Sequence, residues 1–308
     1  MNKIIVVSGA RGIGDLIYQL PLLRSLYLTY KTKLILISNE VNKSKEVYKY
    51  EDFYSEIINF DNTRYSIFKT FGKIKSFLRL LNKYEPDLLI LTSNATRLML
   101  PVYLSNAKKK IVFGTRSFIL IKNNNNNHLT NCEKLIASTN NLNLKIKNNS
   151  FFLNTQKNEN KNKNINDKKI FISIDSHHDQ NNWSIENFIK IAKILIKQNK
   201  KIFFNFSPNK KHFLDKIPEL IKHDNNCTFV YQKSITELIE IINSCSVIIG
   251  NESGPICLGA SLKKKVHSIY IPIHTKPESQ VIGGNVTYYN TDLLKDDEII
   301  KNILKTII

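Results

Sequence analysis

Short runs of apolar, mostly β-branched residues alternate along this chain with longer stretches whose apolar positions recur at helical spacing. A short buried-type run bounded by turn residues predicts a strand; apolar residues three and four apart predict a helix. In the first half the pattern predicts strands at 3–7, 33–38, 56–60, 87–92 and 110–113. It predicts helices at 14–30, 42–50, 66–83, 95–104 and 130–141. A five-asparagine surface loop stands at 123–127, and the stretch 155–168 has almost no apolar residue, which reads as a linker. The alternation then resumes. Strands are expected at 170–174, 201–206, 228–231, 246–249 and, as the last, 266–271. Helices are expected at 183–198, 210–221, 236–244 and 255–262, with a closing helix over 292–308 that reaches back toward the first domain.

Two consecutive βα runs imply two α/β domains, each a parallel sheet with helices on both faces. The expected boundaries are 1–154, a linker at 155–168, 169–291, and the closing helix 292–308. At 308 residues the chain is long enough for both. Ligands of such folds bind at the carboxyl ends of the strands. The chain's two glycine-bearing turns both stand at such ends, where they can face each other across a central cleft.

The more informative turn is Gly250-Asn251-Glu252-Ser253-Gly254-Pro255, directly after Ser246-Val247-Ile248-Ile249. Pro255 suits the first position of a helix. Such a helix start offers free backbone N–H groups and a positive dipole end, which suit a phosphate or diphosphate. The competing reading is an ordinary strand-turn-helix corner. The other turn runs from Ser8-Gly9-Ala10-Arg11 through Gly12-Ile13-Gly14-Asp15. Its glycines do not fit G-x-G-x-x-G, and no Gly-Lys-Ser/Thr follows, so neither a dinucleotide fingerprint nor a P-loop is supported. Asp15 is then either a helix N-cap or a general base. Arg11 could meet an anionic acceptor or stand solvated.

Composition narrows the picture. The formal net charge is +19, spread over many lysines mixed with asparagine. Part of it is compositional bias, and part favours an anionic partner such as acidic glycolipid at a membrane surface. No nucleic-acid-binding motif accompanies it, so no nucleic acid partner is expected. No apolar run approaches a membrane span. Residues 1–7 are too short for a signal peptide and lead straight into the glycine turn. Cys132, Cys227, Cys245 and Cys257 are scattered without a C-x-x-C pair. A reduced, cytoplasmic chain without structural zinc is expected.

Three ordered blocks carry a resemblance. They are Gly14-Asp15-Leu16 through Leu20-Pro21-Leu22-Leu23-Arg24-Ser25-Leu26, then Trp183-Ser184-Ile185-Glu186-Asn187-Phe188, then Ser234-Ile235-Thr236-Glu237-Leu238 through Gly250-Asn251-Glu252-Ser253-Gly254-Pro255. Together the chain resembles glycosyltransferase family 9, the heptosyltransferases of lipopolysaccharide core assembly, which have the GT-B fold. The resemblance implies inverting, metal-independent transfer of a sugar, heptose or related, from a nucleotide-diphosphate donor of the ADP-heptose kind. The acceptor it implies is a lipopolysaccharide core or another lipid-linked glycan, and the net charge of +19 leads us to expect an anionic one at the inner face of the cytoplasmic membrane. No cofactor is implied. The family's catalytic carboxylate falls on Asp15, with Gly12, Gly14 and Arg11 on the acceptor side. The donor site falls on Glu252, Ser253, Gly254, Pro255 and Cys257, with Ser176, His177 and Asn181.

The chain departs from the family pattern at three places. Asn181 stands where the family has a lysine, Glu252 where it has an aspartate, and Cys257 where it has a histidine. A positive charge expected at the donor phosphates is therefore missing, and His177, His178, Lys210 or Lys211 could supply it. An altered donor site, or a family member that binds nucleotide-sugar or acidic glycan without turnover, would both fit; a nucleotide-sugar epimerase of the same fold is a further alternative. Among the remaining chemistry-bearing residues, Asp175, His177, His178 and Asp179 could hold a metal or simply form a polar loop. Trp183 reads as a packing residue, Cys257 as a small helix residue, and His274 and Lys276 as donor contacts or solvated loop.

Overall fold

In the computed structural model the chain divides into two compact units, Met1–Thr155 and Gln156–Ile308. The structure describes residues 1–10, 12–39, 41–60, 67–92, 96–112, 144–145, 148, 150–155, 169–176, 179–231, 233–272, 283 and 285–308. The sequence expectations for helix 130–141, loop 123–127, Cys132, His178, His274, Lys276 and all of the linker but Thr155 lie outside these residues.

The first unit runs β1 (Ile4–Val7), α1 (Ile13–Tyr30), β2 (Leu34–Ser38), α2 (Val41–Val47), β3 (Tyr54–Asn59), α3 (Ile67–Tyr84), β4 (Leu88–Leu91), α4 (Thr96–Leu104) and β5 (Lys109–Val112). Its strands are all parallel, in the order β3-β2-β1-β4-β5. The central strands β1 and β4 are buried at every residue, as the unbroken apolar runs Ile-Ile-Val-Val and Leu-Leu-Ile-Leu demand. Phe77 and Leu81 of α3 and Leu98 and Val102 of α4 cover one side of this sheet.

α1 is enclosed all along its middle, residues 16–26 being buried. That enclosure includes Arg24, whose Nε and Nη2 donate to the two carboxylate oxygens of Glu51 at 3.0 and 2.6 Å. The same guanidinium donates to the carbonyls of Ser150 (3.1 Å) and Phe152 (2.7 Å). Asn154 donates to Glu51 from its amide (3.0 Å) and its side chain (3.2 Å). The Asn148 amide donates to Ser25 Oγ at 2.8 Å. Every second residue from 148 to 154 is thus bonded to α1 or Glu51. The buried charges are paired and hydrogen-bonded, as burial requires.

The second unit runs β6 (Lys169–Ser173), a 3₁₀ turn (Asp179–Asn181), α5 (Ile185–Lys197), β7 (Lys201–Asn205), a 3₁₀ turn (Pro208–Lys210), α6 (Phe213–Lys216), α7 (Glu219–Lys222), β8 (Cys227–Val230), α8 (Ile235–Ser244), β9 (Val247–Asn251), α9 (Gly254–Ser261), β10 (Lys265–Tyr270), β11 (Val286–Asn290) and α10 (Asp296–Lys305). The sheet is again all parallel, ordered β11-β10-β9-β6-β7-β8. In both units the first strand lies beside the fourth, where the direction of winding reverses. That is the topological switch point at which doubly wound folds bind ligands.

Two expectations are corrected. The helix expected over 210–221 is broken into a 3₁₀ turn and two short helices, because Pro218 holds Ile217 in extended backbone (φ −85, ψ 128). The strand at 265–270 is not the last, since Val286–Asn290 adds a parallel edge strand to it. The closing helix is α10, which buries Ile299, Ile300 and Ile303 in the core of the second unit. Its Asp296 accepts from the Trp183 indole N–H at 2.7 Å and from Asn187 Nδ2 at 2.8 Å. Trp183 is buried and packs edge-on against Phe188, in keeping with a packing role.

Candidate active site

In the first unit, the chain leaves β1 between the ends of its neighbours. The Ser8 amide donates to Ile37 O (2.8 Å) and the Gly9 amide to Thr92 Oγ1 (2.9 Å), so the turn is tied to both β2 and the end of β4. The Ala10 amide donates to Ser8 Oγ at 3.2 Å. Arg11 lies outside the described residues. Gly12, not Asp15, is the N-cap of α1, in extended backbone (φ −155, ψ 179) and with no side-chain cap. A Cβ built on Gly12 meets nothing within 4 Å, so neither backbone nor packing requires a glycine there. Gly14 is the second helical residue. Asp15 is the third, half-buried in the first turn, where the positive end of the helix dipole meets a carboxylate favourably. Tyr48 donates to the Leu16 carbonyl at 2.8 Å; burial first, then the negative charges of Glu51 and Asp15, push its phenol well up. A half-buried carboxylate at a switch point, with open space at Gly12 three residues before it, can accept a proton from a bound hydroxyl.

The second corner is built by Gly250. Its Cβ would lie 2.3 Å from the Ser173 carbonyl oxygen, so only glycine lets β9 run this close to β6. The next residue, Asn251, is fully buried. Its Oδ1 accepts from the Trp183 amide (2.7 Å) and its Nδ2 donates to Ile174 O (2.9 Å). One side chain therefore binds both ends of the loop that follows β6. Within that loop the Ser176 amide donates to Asn182 Oδ1 at 2.7 Å. Ser253 is the N-cap of α9, extended (φ −159, ψ 171) and with its hydroxyl not used as a cap. Gly254 opens the helix and Pro255 stands one residue inside it. The Cys257 amide is given to Ser253 O at 3.1 Å, so Cys257, which is buried, can meet a ligand only through its side chain.

This corner holds an unusual set of atoms. Among the described residues, the buried side-chain polar atoms without a hydrogen-bond partner are Asn181 Oδ1, Glu252 Oε2, Ser253 Oγ and Ser268 Oγ. Ser268 pairs in register with Gly250, two residues before Glu252. Buried polar groups without partners are costly, and two of the four, Glu252 Oε2 and Ser253 Oγ, stand at the start of α9. Burial pushes the Glu252 carboxyl up to about 8. At neutral pH it is a protonated acid able to donate.

On the far side of the same loop stands Lys210. Its Nζ donates to Ser176 O at 2.7 Å and pairs with Asp179 Oδ1 at 2.6 Å. The Asp175 carboxyl accepts from the Ser207 amide at 3.0 Å, and burial raises its pKa. Both described carboxylates of the Asp175–Asp179 segment thus have partners within the protein, Asp175 buried and Asp179 exposed. Among the described residues no group of three or more His, Cys, Asp and Glu is placed to hold a metal. His177 lies outside them. Sequence reasoning missed Asn251 as the keystone of the corner; only its position before Glu252 hinted at it.

A sequence model of glycosyltransferase family 9 (heptosyltransferase) matches residues 105–291, more than half of the chain. No curated protein matches the chain by sequence. Solved structures do. A family 9 glycosyltransferase from Veillonella parvula aligns over 100% of this chain and 98% of its own, with a TM-score of 0.80 at 16% identity. The E. coli ADP-heptose lipopolysaccharide heptosyltransferase II covers 99% and 98%, with a TM-score of 0.75 at 13% identity. The E. coli heptosyltransferase WaaC, solved with ADP, covers 99% and 100%, with a TM-score of 0.73 at 13% identity. These likenesses bear out the GT-B fold of two parallel-sheet α/β domains.

Proposed function

The chain belongs to glycosyltransferase family 9, and from that premise we propose that it moves a sugar, heptose or a close relative, from a nucleotide-diphosphate donor to an anionic, lipid-linked glycan such as a lipopolysaccharide core. The first unit takes the acceptor and the second the donor. The observation that carries the reading is the set of unpartnered buried atoms around the start of α9, at the switch point of its sheet. The first-turn amides of Ser253, Gly254 and Ile256 have no intrahelical partner to give to. They donate to the leaving diphosphate as the C1–O bond breaks, together with Ser253 Oγ and the protonated Glu252. A protonated Glu252 sets no negative charge against the phosphates. Donation by preorganised amides stabilises the developing charge without a metal.

Asp15 takes the acceptor hydroxyl's proton as that oxygen attacks C1, which inverts the configuration there. The net charge of +19 supports an anionic acceptor at a membrane surface. No helix among the described residues is long and apolar enough to cross a membrane. The matching family model is that of transferases, so the epimerase and the non-catalytic binder are not favoured.

A panel of nucleotide-sugars tested for binding and turnover, with and without EDTA, examines the whole reading. One nucleoside-diphosphate sugar should bind and turn over in both conditions, and its product should carry the inverted anomer. Gly254→Trp should abolish donor binding in a folded protein. Unchanged donor affinity in that variant overturns the phosphate-turn assignment.

A further inference from the structure

We infer that the outward faces of α3 and α4, in the first unit, form a docking surface for an anionic lipid bilayer. The inference deepens the reading of a lipid-linked acceptor given above and rests on it in that respect.

Helical spacing settles which side chains look outward. In α4, Leu98 and Val102 face the sheet and Pro101 is buried. Leu100, Tyr103 and Leu104 fall on the opposite side, three and four positions apart, and are 43%, 58% and 51% exposed. In α3, Phe77 and Leu81 face the sheet. Lys75, Arg79 and Lys83, each four positions on from the last, fall opposite and are all exposed. Phe71, one turn before Lys75, is 65% exposed. The two helices pack against each other on one side of the sheet, so their outward faces look the same way. An apolar row on α4 thus lies beside a cationic row on α3. The edge strand β5 borders the apolar row with a further cation. Lys110 Nζ donates to the Tyr103 carbonyl at 2.7 Å and stands 6.0 Å from the centre of its ring.

A helix that is apolar all round is normally enclosed. α1 obeys this rule, being buried all along its middle. α4 is apolar on both sides as well, yet its outer side is open. Adjacent exposed apolar residues with a polar border mark an interaction surface, and the charge decides what it meets. Neither α3 nor α4 contains an Asp or Glu. At the C-terminal end of α3, Glu56 accepts from the Tyr84 hydroxyl, Glu85 follows the helix, and Asp87 is held by Lys108 at 2.7 Å. A second copy of the chain would bring one cationic face against another. An anionic leaflet suits both rows. Its headgroups meet Lys75, Arg79 and Lys83, while Leu100, Tyr103 and Leu104 enter the boundary between headgroups and acyl chains. Tyrosine fits that boundary, with an apolar ring and a polar tip. α3 and α4 both start at the carboxyl end of the sheet, the end at which Asp15 stands, so the docked face runs up to the acceptor side of the site.

Flotation of the full chain with vesicles tests this, using phosphatidylcholine alone and phosphatidylcholine mixed with phosphatidylglycerol. Wild type should bind the mixed vesicles, less as salt rises, and bind the neutral ones only weakly. The triple variant Lys75→Gln, Arg79→Gln, Lys83→Gln should weaken binding to mixed vesicles roughly a hundredfold, at about fivefold per cation. The double variant Leu100→Gln, Leu104→Gln should weaken it by about tenfold or more. The control is the triple variant Lys190→Gln, Lys193→Gln, Lys197→Gln, which removes the same charge from exposed positions of α5 and should bind like wild type. All the replaced side chains are exposed, so every variant should melt close to wild type. Equal loss in the α5 control would mean that total charge rather than this face holds the lipid, and overturns the surface. A chain that is dimeric in solution and becomes monomeric in the α4 variant gives the face to a second copy, and also overturns it. A wild type that ignores mixed vesicles overturns the surface too. The acceptor reading falls separately, if detergent-solubilised lipopolysaccharide core accepts no sugar from any donor in the nucleotide-sugar panel.

Discussion

The corner after β1 and the corner after β9 share nearly the same backbone. Gly12 (φ −155, ψ 179) and Ser253 (φ −159, ψ 171) are both extended N-cap residues, and neither corner has a side-chain cap. Their surroundings differ. Gly12 has open space where a side chain would be, and the half-buried Asp15 follows it in the first turn. Ser253 and its neighbour Glu252 carry buried polar atoms without partners, in a corner so tight that a side chain at Gly250 would meet the Ser173 carbonyl. The backbone supplies a helix start in both cases. What surrounds it decides whether the start presents a reactive carboxylate or receives a charged ligand.

The largest effect that can break this contrast is on turnover. Asp15→Asn should lower it by roughly 10²–10⁴-fold, the usual contribution of a positioned base. Because Asp15 is not the N-cap, the same variant keeps the cap and gives up the charge–dipole interaction, about 0.3–1 kcal/mol. Turnover with the true acceptor and melting temperature are measured on one sample. Near-normal turnover would remove Asp15 from the chemistry.

A smaller effect separates the two corners by packing. Gly250→Ala should cost about 1–3 kcal/mol or more, seen as a lowered midpoint of denaturation, because the new methyl meets the Ser173 carbonyl. Gly12→Ala should cost less, about 1 kcal/mol at most, the difference between glycine and alanine at an N-cap, since its Cβ meets nothing and its backbone is extended. Equal losses would show that the first corner is as closely packed as the second.

The smallest effect is a slope. Glu252 keeps its proton in the folded chain up to about 8, whereas an unfolded glutamate loses it near 4.5. The folded state binds the extra proton between these values, so stability falls as pH rises across that window. Glu252→Gln should flatten the slope in a pH series of melting temperatures. An unchanged slope would mean that Glu252 is ionised in the folded chain.

Most of the fold was legible because the central strands contain unbroken apolar runs, such as Ile4-Ile5-Val6-Val7 and Val247-Ile248-Ile249, whose burial is written in composition. Pro218 was a readable signal that went unused, for a residue before proline leaves helical backbone. Val286-Thr287-Tyr288-Tyr289 was another, a β-branched and aromatic run of the kind that makes strands. The site was legible as two turns but not as a constellation. Asn251 joins Ile174 to Trp183 across 77 and 68 positions of sequence, and no local pattern encodes such a bond. Nor does composition reveal that one lysine among many, Lys210, is buried.

The ladder that ties residues 148–154 to α1 bears on how the protein can be cut into parts. The last described strand of the first unit ends at Val112, which looks like a natural place to stop. A fragment ending before Asn148 would keep Arg24 and Glu51 enclosed while discarding Ser150, Phe152 and Asn154, which complete their hydrogen bonds. Each buried group so orphaned costs about 1–3 kcal/mol, against a typical domain stability of about 5–15 kcal/mol. The shortest piece of the first unit able to stand alone therefore extends through Asn154, and its boundary is set by a guanidinium in its first helix rather than by the edge of its sheet.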